Sequence, residues 1–261
     1  MKSINLSNLA RPVEALLRQA GKLIMDSFHS PTLKVYEKVN EGLVTSTDKA
    51  SEQLLIAGLV KIMPEAGIIA EESGQQGIDQ EYCWVIDPLD GTTNFVRGLP
   101  YFCISVALTQ HGKPILGAIY QPVTDEFFYA CAGHGASLHG KKITVSNPTS
   151  FDKSVILIGL PYTKDEHYTA LLQELELLAP QAFAVRHLGA AALDLAYVAA
   201  GRMDGVFFSG LQWWDVAAGM LLVTEAGGTV TDFQGKEVTH NYTSCMAAGD
   251  LVYKKLQTIV K

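Results

Sequence analysis

The amino-acid sequence predicts an α+β protein, with a largely antiparallel first half packed against a layered α/β second half. Two observations carry this. Three strand-like runs, Phe102–Thr109, Ile115–Tyr120 and Glu126–Cys131, follow one another across short connections containing Gly or Pro, the pattern of an antiparallel meander. From Ser154 onward, strand-like and helix-like segments alternate, which implies layers of helix on sheet. Between them lies Val145–Lys153, rich in Ser, Asn, Pro and Thr, the natural boundary. We therefore expect one compact unit over residues 1–261, with a first half at 1–146 and a second at 147–261.

Each element has its own warrant. Leu9, Val13, Leu16, Leu17, Ala20, Ile24 and Phe28 recur at three- and four-residue steps and predict an amphipathic helix over 6–28, with Pro31 just beyond it. Val35–Val39 and the segment at Val44 read as short strands flanking an Asn40-Glu41-Gly42 turn. Asp48 opens a second helix as a plausible N-cap, with Leu54, Leu55, Ala57, Leu59 and Ile62 on its apolar side and Pro64 at its close. Gly67–Ala70 is a short strand running into Glu71-Glu72, and 74–79 is a loop by composition. Tyr82–Ile86 is an apolar strand that stops in a turn rich in carboxylates. In the second half Ser154–Ile158, Phe183–Val185, Asp204–Phe208, Thr229–Thr231 and Cys245–Ala248 read as strands. Lys164–Leu178, Gly189–Ala200, Val216–Glu225 and Leu251–Val260 read as helices, the first three closed by Pro180, Gly201 and Gly227-Gly228.

Composition narrows the function. A hydrophobic content of 48% with 18% charged residues is that of an ordinary soluble globular protein. The net charge of −7 argues against a nucleic-acid or anionic-membrane partner, because both need clustered Lys and Arg. Cys83, Cys103, Cys131 and Cys245 form no CxxC pair, so buried reduced thiols are expected rather than a zinc or redox site. With no signal-peptide pattern and no apolar run near the ~20 residues that span a bilayer, the expected location is the cytoplasm.

The chemistry concentrates in Asp87-Pro88-Leu89-Asp90-Gly91-Thr92-Thr93. Asp87, Asp90 and the Leu89 carbonyl are hard oxygen donors of the kind Mg²⁺ takes. The tetrapeptide Pro88–Gly91 taken alone reads equally as a β-turn. Gly91 permits close backbone approach, and Thr92-Thr93 can begin a short helix whose N–H groups face an anion. Glu71 and Glu72 are adjacent at a strand end and should point to opposite faces, so at most one joins the aspartates. Asp215 can be a helix N-cap, a ligand or both, and Trp213-Trp214 beside it would keep a site dry. The seven histidines show no ligand-like pairing. Ser105, Ser137 and Cys103 lack a base in a recognisable arrangement, Gly133-His134-Gly135 reads as a turn, and Lys38 as a surface lysine.

Ala70-Glu71-Glu72-Ser73, the stretch Trp84–Phe95, and Trp214-Asp215-Val216-Ala217-Ala218-Gly219 running to Glu225-Ala226-Gly227-Gly228 come in the order and spacing of a known family. The chain closely resembles the inositol monophosphatase family, part of the lithium-sensitive, magnesium-dependent sugar phosphatases. The resemblance implies a layered α-β-α-β-α sandwich and a homodimer. It implies two or three Mg²⁺ ions held by Glu71, Asp87, the Leu89 carbonyl, Asp90 and Asp215. Gly91 and Thr92 would hold the phosphate, Glu71 and Thr92 would orient and deprotonate the attacking water, and Asp48 would be the accessory acidic residue. Asp90, Thr93, Gly189, Ala190, Ala191 and Phe208 fall at substrate positions. Two of these depart from the pattern: Phe208 stands where the family usually carries a glutamate, and Ala190 lacks the usual hydroxyl. The implied activity is hydrolysis of a small sugar or polyol phosphate, inositol monophosphate by default. A nucleotide or amino-alcohol phosphate such as adenosine bisphosphate or histidinol phosphate is the alternative substrate, and a regulatory protein on the same fold the alternative role.

Overall fold

A computed structural model describes residues 6–38, 42–242 and 244–260 of the chain. After a single 3₁₀ turn at Leu6–Leu9, the first half contains α1 (Ala10–Ser27), β1 (Val35–Lys38), β2 (Gly42–Thr45), α2 (Ser46–Ile62), β3 (Gly67–Ala70), β4 (Gly74–Gln76), β5 (Tyr82–Asp90) and α3 (Thr92–Val96). It continues with β6 (Cys103–Gln110), β7 (Lys113–Gln121), β8 (Glu126–Cys131), β9 (Gly135–Leu138) and β10 (Lys141–Lys142). The second half holds β11 (Val155–Gly159), α4 (Glu166–Leu178), β12 (Ala184–Arg186), α5 (Ala191–Ala199), β13 (Gly205–Ser209), α6 (Trp213–Glu225), β14 (Thr229–Thr231), β15 (Ser244–Ala248) and α7 (Asp250–Ile259).

These elements stack as the expected five layers. An eight-stranded sheet, ordered β10-β9-β8-β7-β6-β5-β3-β4, carries α1 and α2 on one face and α5 and α6 on the other. A five-stranded sheet, ordered β12-β11-β13-β15-β14, covers the far side of α5 and α6 and is closed outside by α4 and α7. Both sheets are mixed: β3 runs parallel to β5, and β11 parallel to β12 and β13, while the other pairs are antiparallel. The separate hairpin β1–β2 pairs antiparallel.

Burial follows from the two-residue period of a strand. In β13, Val206 and Phe208 face the middle helices while Phe207 faces the outer layer, and Val85 is divided from Trp84 and Ile86 in the same way. A sheet covered on both faces reads as a continuous apolar run, so the sequence shows these strands without showing which side is which.

Several boundaries differ from expectation. Residues 74–76 pair antiparallel with β3 instead of forming a loop, and β9 and β10 extend the meander beyond Cys131. Asp48 is the third residue of α2 rather than its N-cap, because Thr45 caps the helix and the Asp48 carboxylate reaches back to the Thr45 amide. Asp215 occupies the same position in α6, where Gln212 precedes the helix and Trp213 starts it. The Asn40-Glu41 part of the expected hairpin turn lies outside the described residues, as does the side chain of Lys38.

Candidate active site and metal centre

The strand β5 does not stop at Ile86 as the sequence suggests; it pairs with β6 as far as Asp90. Asp87 lies opposite Ser105 and Asp90 opposite Cys103, so three steps on β5 match two on β6. One residue is therefore extra, which makes this a β-bulge. In a regular strand residues three apart face opposite sides, and the extra residue brings both carboxylates to one side. Pro88, which has no amide to give a ladder, sits inside the bulge, and its carbonyl accepts a hydrogen bond from Ser51 Oγ at 3.0 Å.

Asp215 completes the cluster: one carboxylate oxygen each from Asp87, Asp90 and Asp215 lie within 4.8 Å of one another. Glu71, at the end of the parallel strand β3, lines the same cleft, while the Glu72 amide donates to Glu52 on α2. Glu72 is absent from the lining of the cleft, whereas Glu71 is part of it. Asp87 and Asp90 are buried. Burial raises the Asp87 carboxyl well above the usual carboxylate range, and the charges of Glu71, Asp90 and Asp215 push the same way. Asp90 is pushed up to about 7 by burial. Its shift is opposed by hydrogen bonds, because its two oxygens accept from the Ala191 and Ala192 amides at 3.2 and 2.8 Å.

Beside the cluster, Gly91 adopts a left-handed conformation with φ of 89°. A Cβ there would come 3.0 Å from the Tyr101 carbonyl oxygen and 3.1 Å from Ala190 Cβ, so the turn closes only on glycine. Thr92 Oγ lies 2.9 Å from Asp48 Oδ1 and 3.0 Å from the Leu89 carbonyl oxygen. It has one proton for two acceptors. Asp48 is fully buried, which raises its carboxyl above the ordinary value, and bonds from Thr45 and Thr92 oppose that rise.

The cleft has a volume of about 660 Å³ and brings together Glu71, Asp87, Leu89, Asp90, Gly91, Thr92, Thr93, Gly189, Ala190, Ala191, Phe208 and Asp215. Asp48 reaches it through Thr92. Trp214 lines the cleft, but Trp213 is buried in the core beside Tyr242, so one tryptophan shields the site where two were expected. Cys103 is buried with Sγ 3.6 Å from Asp90 Oδ2, and burial beside that carboxylate raises its thiol well above its usual value, which suits no nucleophile.

Two participants escaped the sequence reading. Asn94 Nδ2 donates to the Tyr101 and Leu188 carbonyls, each at 2.8 Å, and so ties α3 to the loop that carries Gly189. Asp194 lines the cleft and accepts the Tyr101 hydroxyl at 2.6 Å. Burial raises the Asp194 carboxyl well above its ordinary range. A single acid in the otherwise apolar helix Ala191–Ala199 was the available signal.

A layered fold with clustered oxygen donors beside a glycine turn defines a class that comparison with known proteins makes specific. The description "Inositol monophosphatase family" matches residues 5–261, and the chain belongs to that family. It is 42% identical to Nus factor SuhB of Escherichia coli over 237 residues, covering 90% of this chain and 86% of that protein. It is 38% identical to the inositol-1-monophosphatase of Mesorhizobium japonicum over 250 residues, covering 95% and 94%. The crystal structure of extragenic suppressor protein suhB from Bartonella henselae superposes with a TM-score of 0.93 at 36% identity, covering 97% of this chain and 98% of that one.

Proposed function

We propose that the protein is a Mg²⁺-dependent phosphomonoesterase acting on a small sugar or polyol phosphate, with inositol monophosphate the reference substrate. The observation that carries this is the convergence of Asp87, Asp90 and Asp215 in a cleft that also presents Glu71 and the Gly91–Thr93 turn. The donor set is all oxygen, which suits a hard divalent cation. Among the described residues, no Lys or Arg lines the cleft, so an anionic ester needs positive charge from a bound cation.

Asp87, Asp90, Asp215, Glu71 and the Leu89 carbonyl would hold the metal. Bound there, it supplies Lewis-acid polarisation of a phosphoryl oxygen and a lowered pKa for an adjacent water. The chain's own groups do the positioning. When Thr92 directs its proton to Asp48, its lone pairs are left to accept from a water in the cleft, with Glu71 as a second acceptor. The Gly91 turn and the first amides of α3, which lack partners inside the helix, would hold the phosphate. A homodimer, a cytoplasmic location and lithium inhibition belong to the same proposal. No helix among the described residues is long and apolar enough to cross a membrane. Phosphate release from inositol monophosphate with Mg²⁺, stopped by EDTA and restored by added Mg²⁺, is the test.

A second reading has its own observation, the 42% identity to Nus factor SuhB. That name attaches the relative to the transcription machinery, so an absence of nucleic-acid-linked partners, argued from net charge, is not part of the proposal. In this reading the fold is regulatory. Purified protein that hydrolyses no phosphomonoester at millimolar Mg²⁺ would favour it.

A further inference from the structure

Helix α2 buries a polar surface at its start and an apolar one further along. Asp48, Ser51 and Glu52 stand at i, i+3 and i+4 and so share one side of the helix, which Leu55 and Leu59 continue. All five are buried. A polar side chain taken out of water is costly unless it finds a partner. Each of the three finds one on a different segment of the acidic cleft. Asp48 Oδ1 lies 2.9 Å from Thr92 Oγ, Ser51 Oγ donates to the Pro88 carbonyl at 3.0 Å, and a Glu52 oxygen accepts the Glu72 amide at 2.8 Å.

The Ser51 bond reaches Asp87 through a single peptide. A serine inside a helix commonly returns its hydroxyl to its own helix, but Ser51 crosses to the bulge, where ladder pairing is broken. The Pro88 carbonyl belongs to the same planar unit as the Leu89 amide, and that amide donates to Asp87 Oδ1 at 3.0 Å. Holding the carbonyl therefore aims the N–H that holds the carboxylate. Glu52 acts on the neighbouring strand. The Glu71 amide donates to the Ile86 carbonyl at 3.2 Å and the Glu72 amide to Glu52, so the main chain is fixed on both sides of the Glu71 side chain.

We propose that Ser51 and Glu52 are positioning residues for two of the metal ligands. Ser51 aims the Asp87 carboxylate through the Pro88–Leu89 peptide, and Glu52 holds the main chain that carries Glu71. Neither lines the cleft, so both act without touching metal or ester. This rests on the metal-dependent reading of the cleft and adds to it the helix that sets the ligand spacing.

The test is calorimetric Mg²⁺ binding to EDTA-treated protein, read beside the Tm of the metal-free form. Ser51→Ala should weaken the Kd about tenfold, the low end of the roughly 10–100-fold range for outer partners of metal ligands, because it acts through a peptide. Ser51→Cys, with a weaker donor in its place, should fall between and serves if Ser51→Ala does not fold. The control is Thr109→Val, which removes a buried hydroxyl 3.1 Å from the Cys83 carbonyl oxygen, at the other end of β5. It should lower Tm and leave Kd unchanged. Glu52→Ala should weaken Kd, and Glu52→Gln, which keeps an acceptor oxygen, should retain most of the affinity. A Kd unmoved in the Ser51 variants, or moved equally by Thr109→Val, overturns the role of Ser51. Glu52→Gln as weak as Glu52→Ala assigns that effect to charge and overturns the role of Glu52. Weakened Mg²⁺ binding without hydrolysis of any ester removes the phosphatase reading alone, and wild type that binds no Mg²⁺ removes both.

Discussion

In the first half of the molecule, the groups facing the cleft are fixed by main chain. Asp87 and Asp90 stand on a bulged strand, Glu71 ends its parallel neighbour, and Thr92 opens a helix on a left-handed glycine. In the second half the facing groups come largely from connecting segments, Leu160–Asp165, His187–Ala190 and Gly210–Gln212, and they are mostly apolar. The difference separates two tasks. Cleaving an ester demands oxygen atoms in fixed positions, whereas choosing the alcohol demands a surface whose shape and polarity can change without disturbing them. Asp90 joins the two, because its carboxylate belongs to the acidic cluster with Asp87 and Asp215 while capping α5 of the second half.

The comparison predicts effects of very different size. Asp90→Asn should abolish turnover, more than the roughly 10–100-fold lost when only an outer partner of a metal ligand is removed. The fold should persist, since an amide oxygen still accepts from Ala192. Activity assays with circular dichroism check both, and substantial activity would remove Asp90 from the metal cluster. Thr92→Ala should reduce kcat about 10²-fold by breaking the link to Asp48, with KM little changed.

The pH dependence of stability should expose the carboxylate cluster. Asp90 carries a folded-state pKa of about 7 against an ordinary 3.8, so between these values the folded protein holds a proton that the unfolded chain releases. Stability of EDTA-treated protein should therefore fall as pH rises through that window. The rise in Tm on adding Mg²⁺ should grow across the same window, because the ion needs the deprotonated form. Thermal denaturation at several pH values, with and without Mg²⁺, measures this; a metal shift that shrinks as pH rises would contradict it. At a hundredfold excess over Kd the shift corresponds to about 2.7 kcal/mol. The smallest effect belongs to the apolar wall. Gly159→Ala should cost roughly 1–3 kcal/mol by crowding Phe208, measured by denaturant unfolding, and leave Mg²⁺ binding intact.

Legibility divides along the same line. Asp87, Asp90, Gly91 and Thr92 announce themselves because carboxylates, a glycine and hydroxyls in one short stretch have few structural uses together. The bulge that makes Asp87 and Asp90 cofacial was not legible, since Pro88 and Gly91 suggest a turn and only pairing with β6 shows a strand. The start of α5 was also hidden. Ala190 has no side-chain acceptor, and the carboxylate that caps the helix comes from Asp90, in the other half of the chain. Asp48 and Asp215 each suggested an N-cap, yet both sit one turn further in, where the carboxylate reaches back to the capping residue. Ala190 and Phe208, read from the sequence as departures from the family's pattern, pointed to the alcohol side. The bond from Ser51 to Pro88 needed the fold, because the two residues are distant in sequence.

The claim at the centre of this account is that the acidic floor of the cleft binds a divalent cation and thereby hydrolyses a phosphomonoester. The most direct measurement is phosphate release from inositol monophosphate and adenosine monophosphate by wild type and Asp90→Asn, with Mg²⁺ and after EDTA. The account predicts release by wild type that needs Mg²⁺, ceases with EDTA, returns on readdition and is lost in Asp90→Asn. Release that survives EDTA or the Asp90→Asn change, or no release from either ester at millimolar Mg²⁺, would contradict it.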